Sequence, residues 1–338
     1  MTTIVSELEY TDLPPRAAEA IKNFIPDDEV IDKRVAEFRD VRPRKLDAEG
    51  ATEELDGVTF THHFVDVPGD HEFVRFHYVE AGQGEPIVFL HGIPDSWYQW
   101  HHQMASLAGN YRCIGVDLKG YGQSEKSPGD YRHEAAAEQL LAALDLAGID
   151  QFNLVTHDRG TVQGDFIAAN HPQRVLRYGR GEQHLYHFHP SLAPQGPMFA
   201  EAPATGMMED RNRFVVWLYT WISTIQIPDA EMRRVIQEYS YEDINKAVPR
   251  YFNSSTFRQE WIQRRTRLLD SWQCPVMILQ GYHSKTQPRE FYEHARDYIS
   301  NAPEVLVRFI DAGHFWSMEA PDVLTEYLHE LLKLSPNG

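Results

Sequence analysis

The apolar run Phe152-Asn153-Leu154-Val155-Thr156 leads into His157-Asp158-Arg159-Gly160 and then into a helical pattern. A strand, a tight turn and a helix in that order lift the central side chain of the turn, and small residues two positions away keep the turn free of clashes. The lifted residue is Asp158. A carboxylate attacks carbon and forms an ester without first losing a proton. That suits displacement at an sp³ carbon, such as an epoxide or a carbon–halogen bond. The plainer role for Asp158 is a helix N-cap, which Asp often fills. The surroundings of the motif decide between the two.

Those surroundings are short apolar runs followed by turns and helical patterns. The runs are IVFL (87–90), CIGVD (113–117), FNLVT (152–156), VMILQ (276–280) and VLVRFI (305–310), with helices expected over 131–147 and 163–170. Strands alternating with helices build a parallel sheet covered on both faces. Ahead of them, THHFVDV and FVRFHYVEA alternate as a hairpin around the turn PGDHE. The alternation stops between Glu182 and Trp272, where aromatic helical patterns such as FVVWLYTWI replace it. Such an insertion forms a lid over the strand ends, where open α/β sheets bind ligands. Residues 1–57 are polar and broken by Pro14, Pro15, Pro26 and Pro43. They read as an arm with one helix near 16–24, which either wraps the main domain or a second subunit or is loosely ordered.

The net charge is −18, with 50 Asp and Glu against 32 Lys and Arg. This argues against nucleic acid as a partner, because phosphate binding needs clustered cations. Two cysteines, Cys113 and Cys274, lie in or beside apolar runs and make no disulfide framework, which fits a reducing compartment. The first residues lack a signal-peptide core, and no apolar run is long enough for a membrane span. The chain reads as cytoplasmic, with a small-molecule substrate, no membrane partner and a homodimer left open.

Four motifs follow one another: His91-Gly92-Ile93-Pro94, Asp117-Leu118-Lys119-Gly120-Tyr121-Gly122-Gln123-Ser124, His157-Asp158-Arg159-Gly160, and Gly313-His314. Their order resembles the epoxide hydrolase and haloalkane dehalogenase branch of the α/β-hydrolase family, over about residues 58–334. The resemblance implies an α/β-hydrolase fold: a mostly parallel, doubly wound sheet with a helical lid inserted after the sixth strand. The core is expected over 58–183 and 273–338, and the lid over 184–272. It also implies Asp158 as nucleophile, His314 as the base that activates water, and the backbone N–H groups of Ile93 and Arg159 as an oxyanion hole. Fixed N–H dipoles stabilise the charge that develops on an ester oxygen, and an imidazole accepts a proton near neutral pH. His91 reads as structural.

The histidine needs a carboxylate to orient it. Many relatives place it after the next-to-last strand. Here that position falls near Ser284, with no Asp or Glu between Gly281 and Gln287. A second location, at the end of the strand after the nucleophile helix, holds Glu182, which is therefore assigned as the acid. Arg159 stands where haloalkane dehalogenases carry a halide-binding Trp. It resembles the fluoroacetate-type arginine, but Val162 replaces the second arginine of those enzymes. Epoxide hydrolases use lid O–H or N–H donors on the epoxide oxygen, and Tyr251, then Tyr219, are the candidates. His184, His187 and His189 read as lining the pocket entrance, so no metal and no cofactor is expected. The expected function is hydrolysis of an epoxide to a diol. The alternatives are a halo-acid or haloalkane dehalogenase, and a non-hydrolytic ligand-binding protein of the same fold, which Thr156, in place of a common glycine, keeps open.

Overall fold

Nine strands form one sheet in the computed structural model, which describes residues 8–22, 27–69, 73–193 and 195–336. They are β1 (Thr52–Leu55), β2 (Val58–Pro68), β3 (Phe73–Ala81), β4 (Glu85–Leu90), β5 (Tyr111–Val116), β6 (Phe152–His157), β7 (Val175–Gly181), β8 (Val276–Gly281) and β9 (Val305–Ile310). The spatial order is β1-β2-β3-β5-β4-β6-β7-β8-β9. The first three strands and β5 pair antiparallel, and every pairing from β5 to β9 is parallel.

Burial follows from that arrangement. β2, near the edge, has mixed burial, whereas β6 and β8 are buried at every residue. Central parallel strands are covered on both faces, so their sequences are continuous apolar runs. Helices His133–Leu146 and Asp158–Asn170 pack together, as do His101–Leu107 and Pro321–Leu332. Asp165, fully buried in helix Asp158–Asn170, accepts from the Tyr178 hydroxyl at 2.9 Å and from Arg180 Nε at 2.8 Å on β7, and from Arg264 on the segment returning from the insertion.

The short edge strand β1 lies within the polar N-terminal stretch and pairs with β2 in the register Thr52↔Thr61. It adds one strand ahead of those legible in the sequence. The helical insertion therefore leaves the sheet after β7 and returns at β8. The expected PGDHE turn falls partly on residues 70–72, outside the described residues.

The arm forms helices Pro15–Lys22 and Asp28–Ala36, and the second lies against lid helix Arg211–Ile222. Ile31 and Phe38 are fully buried there. Ion pairs Arg213–Asp28 at 2.8 Å, Arg34–Asp229 at 2.7 Å and Arg233–Asp40 at 2.8 Å rim the contact. Exposed pairs of this kind contribute at most about 1 kcal/mol each, so the apolar anchors hold the arm. Cys113 and Cys274 are both buried free thiols. Among the described residues, no helix is long and apolar enough to cross a membrane.

Candidate active site

Strand β6 ends at His157, and Asp158 opens the next helix with φ +48°. Left-handed backbone is uncommon outside glycine, and Asp is among the residues that tolerate it best. The conformation aims the carboxylate at the loop after β4, where the Ile93 N–H donates to Asp158 Oδ1 at 3.1 Å. Gly92 makes this approach possible, since a Cβ there would sit 2.4 Å from Asp158 Cβ. His157 ties the elbow to the loop after β9: its Nε2 donates to the His314 carbonyl at 2.8 Å.

His314 faces both carboxylates. Its Nε2 is 3.8 Å from Asp158 Oδ2, too far for a hydrogen bond, and its Nδ1 donates to Glu182 Oε2 at 2.9 Å. Glu182 follows β7 directly with φ +52° and is 1% exposed. Its Oε1 accepts from Gly281 N at 2.8 Å and Gln280 Nε2 at 2.6 Å, and its Oε2 also accepts from the Ser284 hydroxyl at 2.7 Å. A side chain at Gly281 would lie 2.1 Å from the Gly313 carbonyl and 3.0 Å from Glu182 Oε1, so the carboxylate needs glycine beside it.

Burial by itself favours a neutral imidazole at His314. The Glu182 hydrogen bond and charge, with Asp158, outweigh it and raise the imidazole above its usual range. Burial pushes the Glu182 carboxyl up, opposed by His314, Ser284 and Gly281. Four donors converge on its two oxygens, and that environment holds a carboxylate opposite a histidine that gains charge.

An aspartate in a tight strand–helix turn, a histidine after the last strand and an acid after β7, all at the C-terminal ends of a mostly parallel sheet, match one known architecture. A family model described as the alpha/beta hydrolase fold covers residues 85–178. The chain has the α/β-hydrolase fold. It is 34% identical over 301 residues to the bifunctional epoxide hydrolase 2 of Rattus norvegicus, covering 77% of this chain and 54% of that protein. To the haloalkane dehalogenase of Agrobacterium fabrum it is 31% identical over 183 residues, covering 52% of this chain and 60% of that protein. The chain thus spans little more than half the length of these relatives. Among solved structures, a point mutant of an epoxide hydrolase from Bacillus megaterium superposes with TM-score 0.70 at 22% identity, over 80% of this chain and all of that one. Cfl2 from Burkholderia cenocepacia gives TM-score 0.68 at 25% identity, over 80% and 95%.

Within this α/β-hydrolase the two expected lid tyrosines are both engaged. The Tyr251 hydroxyl donates to the Lys119 carbonyl at 2.7 Å, and its ring stacks on His133. Tyr251 therefore braces the loop after β5. Tyr219 stacks on Phe315, next to His314, with ring centroids 3.9 Å apart, and its hydroxyl donates to Asp95 Oδ1 at 2.8 Å.

Asp95 was not singled out in the sequence, although it lies two residues after Ile93 in the same loop. It is 2% exposed, and among the described residues its Oδ2 has no hydrogen-bond partner. Burial raises its pKa to about 7, against the pull of Tyr219 and His314, and the Asp158 charge adds to the rise. An acid that far above the usual carboxylate range, in reach of the nucleophile's field, is a functional signal.

The Arg159 side chain turns away from this chemistry. Its guanidinium pairs with Glu260 of the lid at 2.5 Å, contacts His133 and lies over the rings of Phe252 and Phe257. Its N–H sits in the first turn of the helix, where backbone donors lack intrahelical acceptors. His91 bonds the Gly92 carbonyl through Nδ1 at 2.8 Å and accepts from Leu118 N at 3.1 Å, holding two loops together. Thr156 is fully buried with its hydroxyl 3.0 Å from that of Thr161. The three histidines after Glu182 part company: His184 is buried against Phe188, His187 meets Thr11 and Tyr298, and His189 caps Ser191.

Proposed function

We propose that this α/β-hydrolase opens epoxides to vicinal diols through an ester on Asp158. In the first step Asp158 Oδ2 attacks one epoxide carbon. The carbon–oxygen bond to that carbon breaks, and the ring oxygen takes a proton from the Tyr219–Asp95 pair. In the second step His314 Nε2 removes a proton from water, and the hydroxide adds to Asp158 Cγ. Charge builds on Oδ1, where the Ile93 N–H already points and the Arg159 N–H assists. The ester bond then breaks, and the leaving diol oxygen takes the proton of the hydroxyl added to Cγ. The proton on His314 returns to the Tyr219–Asp95 pair, and Asp158 is a carboxylate again. Glu182 keeps the Nδ1 proton in place and stabilises the imidazolium.

The observation that carries this reading is the pair of opposed contacts on one carboxylate. Oδ1 is held by an N–H donor, while Oδ2 faces His314 without being bonded to it. The choice of an epoxide over a halo-acid rests on Arg159, whose guanidinium is neutralised by Glu260 rather than turned to a substrate carboxylate. The epoxide hydrolase named among the relatives supports the same choice.

Two measurements test it. Styrene-type and aliphatic epoxides should give diols, while fluoroacetate and chloroacetate should release no halide. His314→Gln should form the ester but not cleave it, so intact mass should show Asp158 carrying the mass of the epoxide. Halide release without diol formation would replace the epoxide reading with the dehalogenase one, and the absence of both turnover and adduct would remove the hydrolase reading.

A further inference from the structure

A second cluster of chemically capable side chains lies away from this site, where the core meets the lid. Asp56 comes from the turn between β1 and β2, His101 and His102 from the start of helix His101–Leu107, and Glu231 from lid helix Asp229–Glu238. One ligand atom from each of Asp56, His101 and His102 lies within 4.8 Å of the others.

Glu231 borders the group and meets His102 only through Nε2, the ring nitrogen turned away from Asp56. His101 Nε2 is 3.9 Å from Asp56 Oδ2 and 3.6 Å from Glu231 Oε2. His102 Nδ1 is 2.7 Å from Asp56 Oδ2, and its Nε2 is 3.8 Å from Glu231 Oε1. Ligands about 2.1 Å from a tetrahedral ion stand roughly 3.4 Å from one another. The observed separations lie on either side of that value.

The supporting contacts are those of a ligand set. His101 Nδ1 donates to the Tyr98 carbonyl at 2.8 Å, which leaves the Nε2 lone pair directed at the two carboxylates. A backbone carbonyl behind a metal-ligating histidine does the same. The Tyr98 ring stacks on His101 with centroids 4.1 Å apart, and its hydroxyl fixes Glu231 Oε2 at 2.8 Å. The His101 and His102 rings are only 3.8 Å apart, a poor arrangement for two imidazolium charges.

We propose that Asp56, His101 and His102 bind one divalent transition-metal ion of the zinc class through Asp56 Oδ2, His101 Nε2 and His102 Nδ1. Two imidazoles with a carboxylate suit such an ion better than magnesium or calcium, which take oxygen ligands. The ion ties the start of helix His101–Leu107 to the turn between β1 and β2. It lies outside the Asp158 site, so its binding does not depend on what that site hydrolyses.

The full chain, stripped with a chelator and dialysed, is titrated with Zn²⁺ by calorimetry and with Co²⁺ by visible absorption. One saturable equivalent is expected, with cobalt bands of a four-coordinate site. Excess Zn²⁺ should raise Tm by roughly 3–5 °C if the ion reaches about 100 times its Kd. His102→Ala and Asp56→Asn, both at partly exposed positions, should remove the equivalent and the Tm rise while leaving the metal-free Tm unchanged. Glu231→Gln leaves all three ligands in place and should keep the one saturable equivalent. An undiminished equivalent in His102→Ala, or no saturable binding to the parent chain, overturns the proposal.

Discussion

The Ser284 hydroxyl donates to Glu182 Oε2 at 2.7 Å, and the same oxygen accepts from His314 Nδ1 at 2.9 Å. Ser284 occupies the position where many relatives carry the acid itself. The two locations for that acid therefore converge on one spot behind the histidine. This chain fills the spot from β7 and keeps a hydroxyl donor where the alternative carboxylate would stand.

That convergence makes the acid transferable. Glu182→Gln should lower kcat by about 10³–10⁴-fold, the usual result when a histidine loses its orienting carboxylate. Adding Ser284→Asp to Glu182→Gln should recover at least roughly tenfold of the loss, by returning a carboxylate to Nδ1. Steady-state kinetics on the single and double variants checks it. A double variant no better than the single would show that the two locations are not equivalent here.

Asp95 predicts a pH dependence. Its pKa is about 7 in the folded chain against 3.8 for the ordinary group. Between those values the folded state holds a proton that the unfolded state has released, so this group's contribution to stability falls as pH rises from about 4 to about 7 and is level above that. Asp95→Asn removes the dependence. In denaturant titrations the variant should gain on the parent across that window, by an amount on the order of a few kcal/mol. It should also slow ester formation more than ester hydrolysis, since its proton is used in ring opening.

The two lid tyrosines should separate in single-turnover kinetics. Tyr219→Phe removes the hydroxyl on Asp95 and should slow alkylation of Asp158 by about 10²-fold or more, the usual size of a lost acid contribution. Tyr251→Phe loses the bond to the Lys119 carbonyl and a long one from Gln163 Nε2, and should cost about 1 kcal/mol of stability with little change in rate. A larger rate loss for Tyr251→Phe would mean that the loop after β5 carries the oxygen-binding group.

Glu260→Gln leaves the Arg159 guanidinium buried without its counter-charge. Breaking a buried pair in this way costs about 3–5 kcal/mol, readable as a lower urea midpoint. Replacing both partners with apolar residues, Arg159→Met with Glu260→Leu, should restore much of that loss, because the desolvation cost of both ions disappears. If the double variant instead gains turnover of halo-acids or loses diol formation entirely, Arg159 has a role in substrate binding.

The core motifs were legible because each depends on a short stretch of chain. The elbow around Asp158, the loop of His91 to Pro94 and the Gly313-His314 pair are local patterns whose backbone requirements show in residue type. Glu182 was legible by a different route, through the vacancy at Ser284 and the spacing from Asp158. The alternation of buried runs and helices placed the sheet and the lid between them, and missed only β1, a four-residue edge strand that packs too little apolar surface to stand out from the arm.

What the tertiary structure decided are the pairings between segments far apart in the chain. Asp95 is an unremarked acid in a loop until Tyr219, 124 residues away on the helical insertion, donates to it. Arg159 could face substrate or lid until Glu260 takes it, and Tyr251 could face the nucleophile until Lys119 does. The arm has little apolar pattern of its own and becomes ordered helix where Ile31 and Phe38 meet the lid. Residue types and local spacing set where the backbone turns and which side chain it lifts. The protonation and direction of a polar side chain are set by burial and by the charges opposite it, and those depend on contacts that only the folded chain brings together.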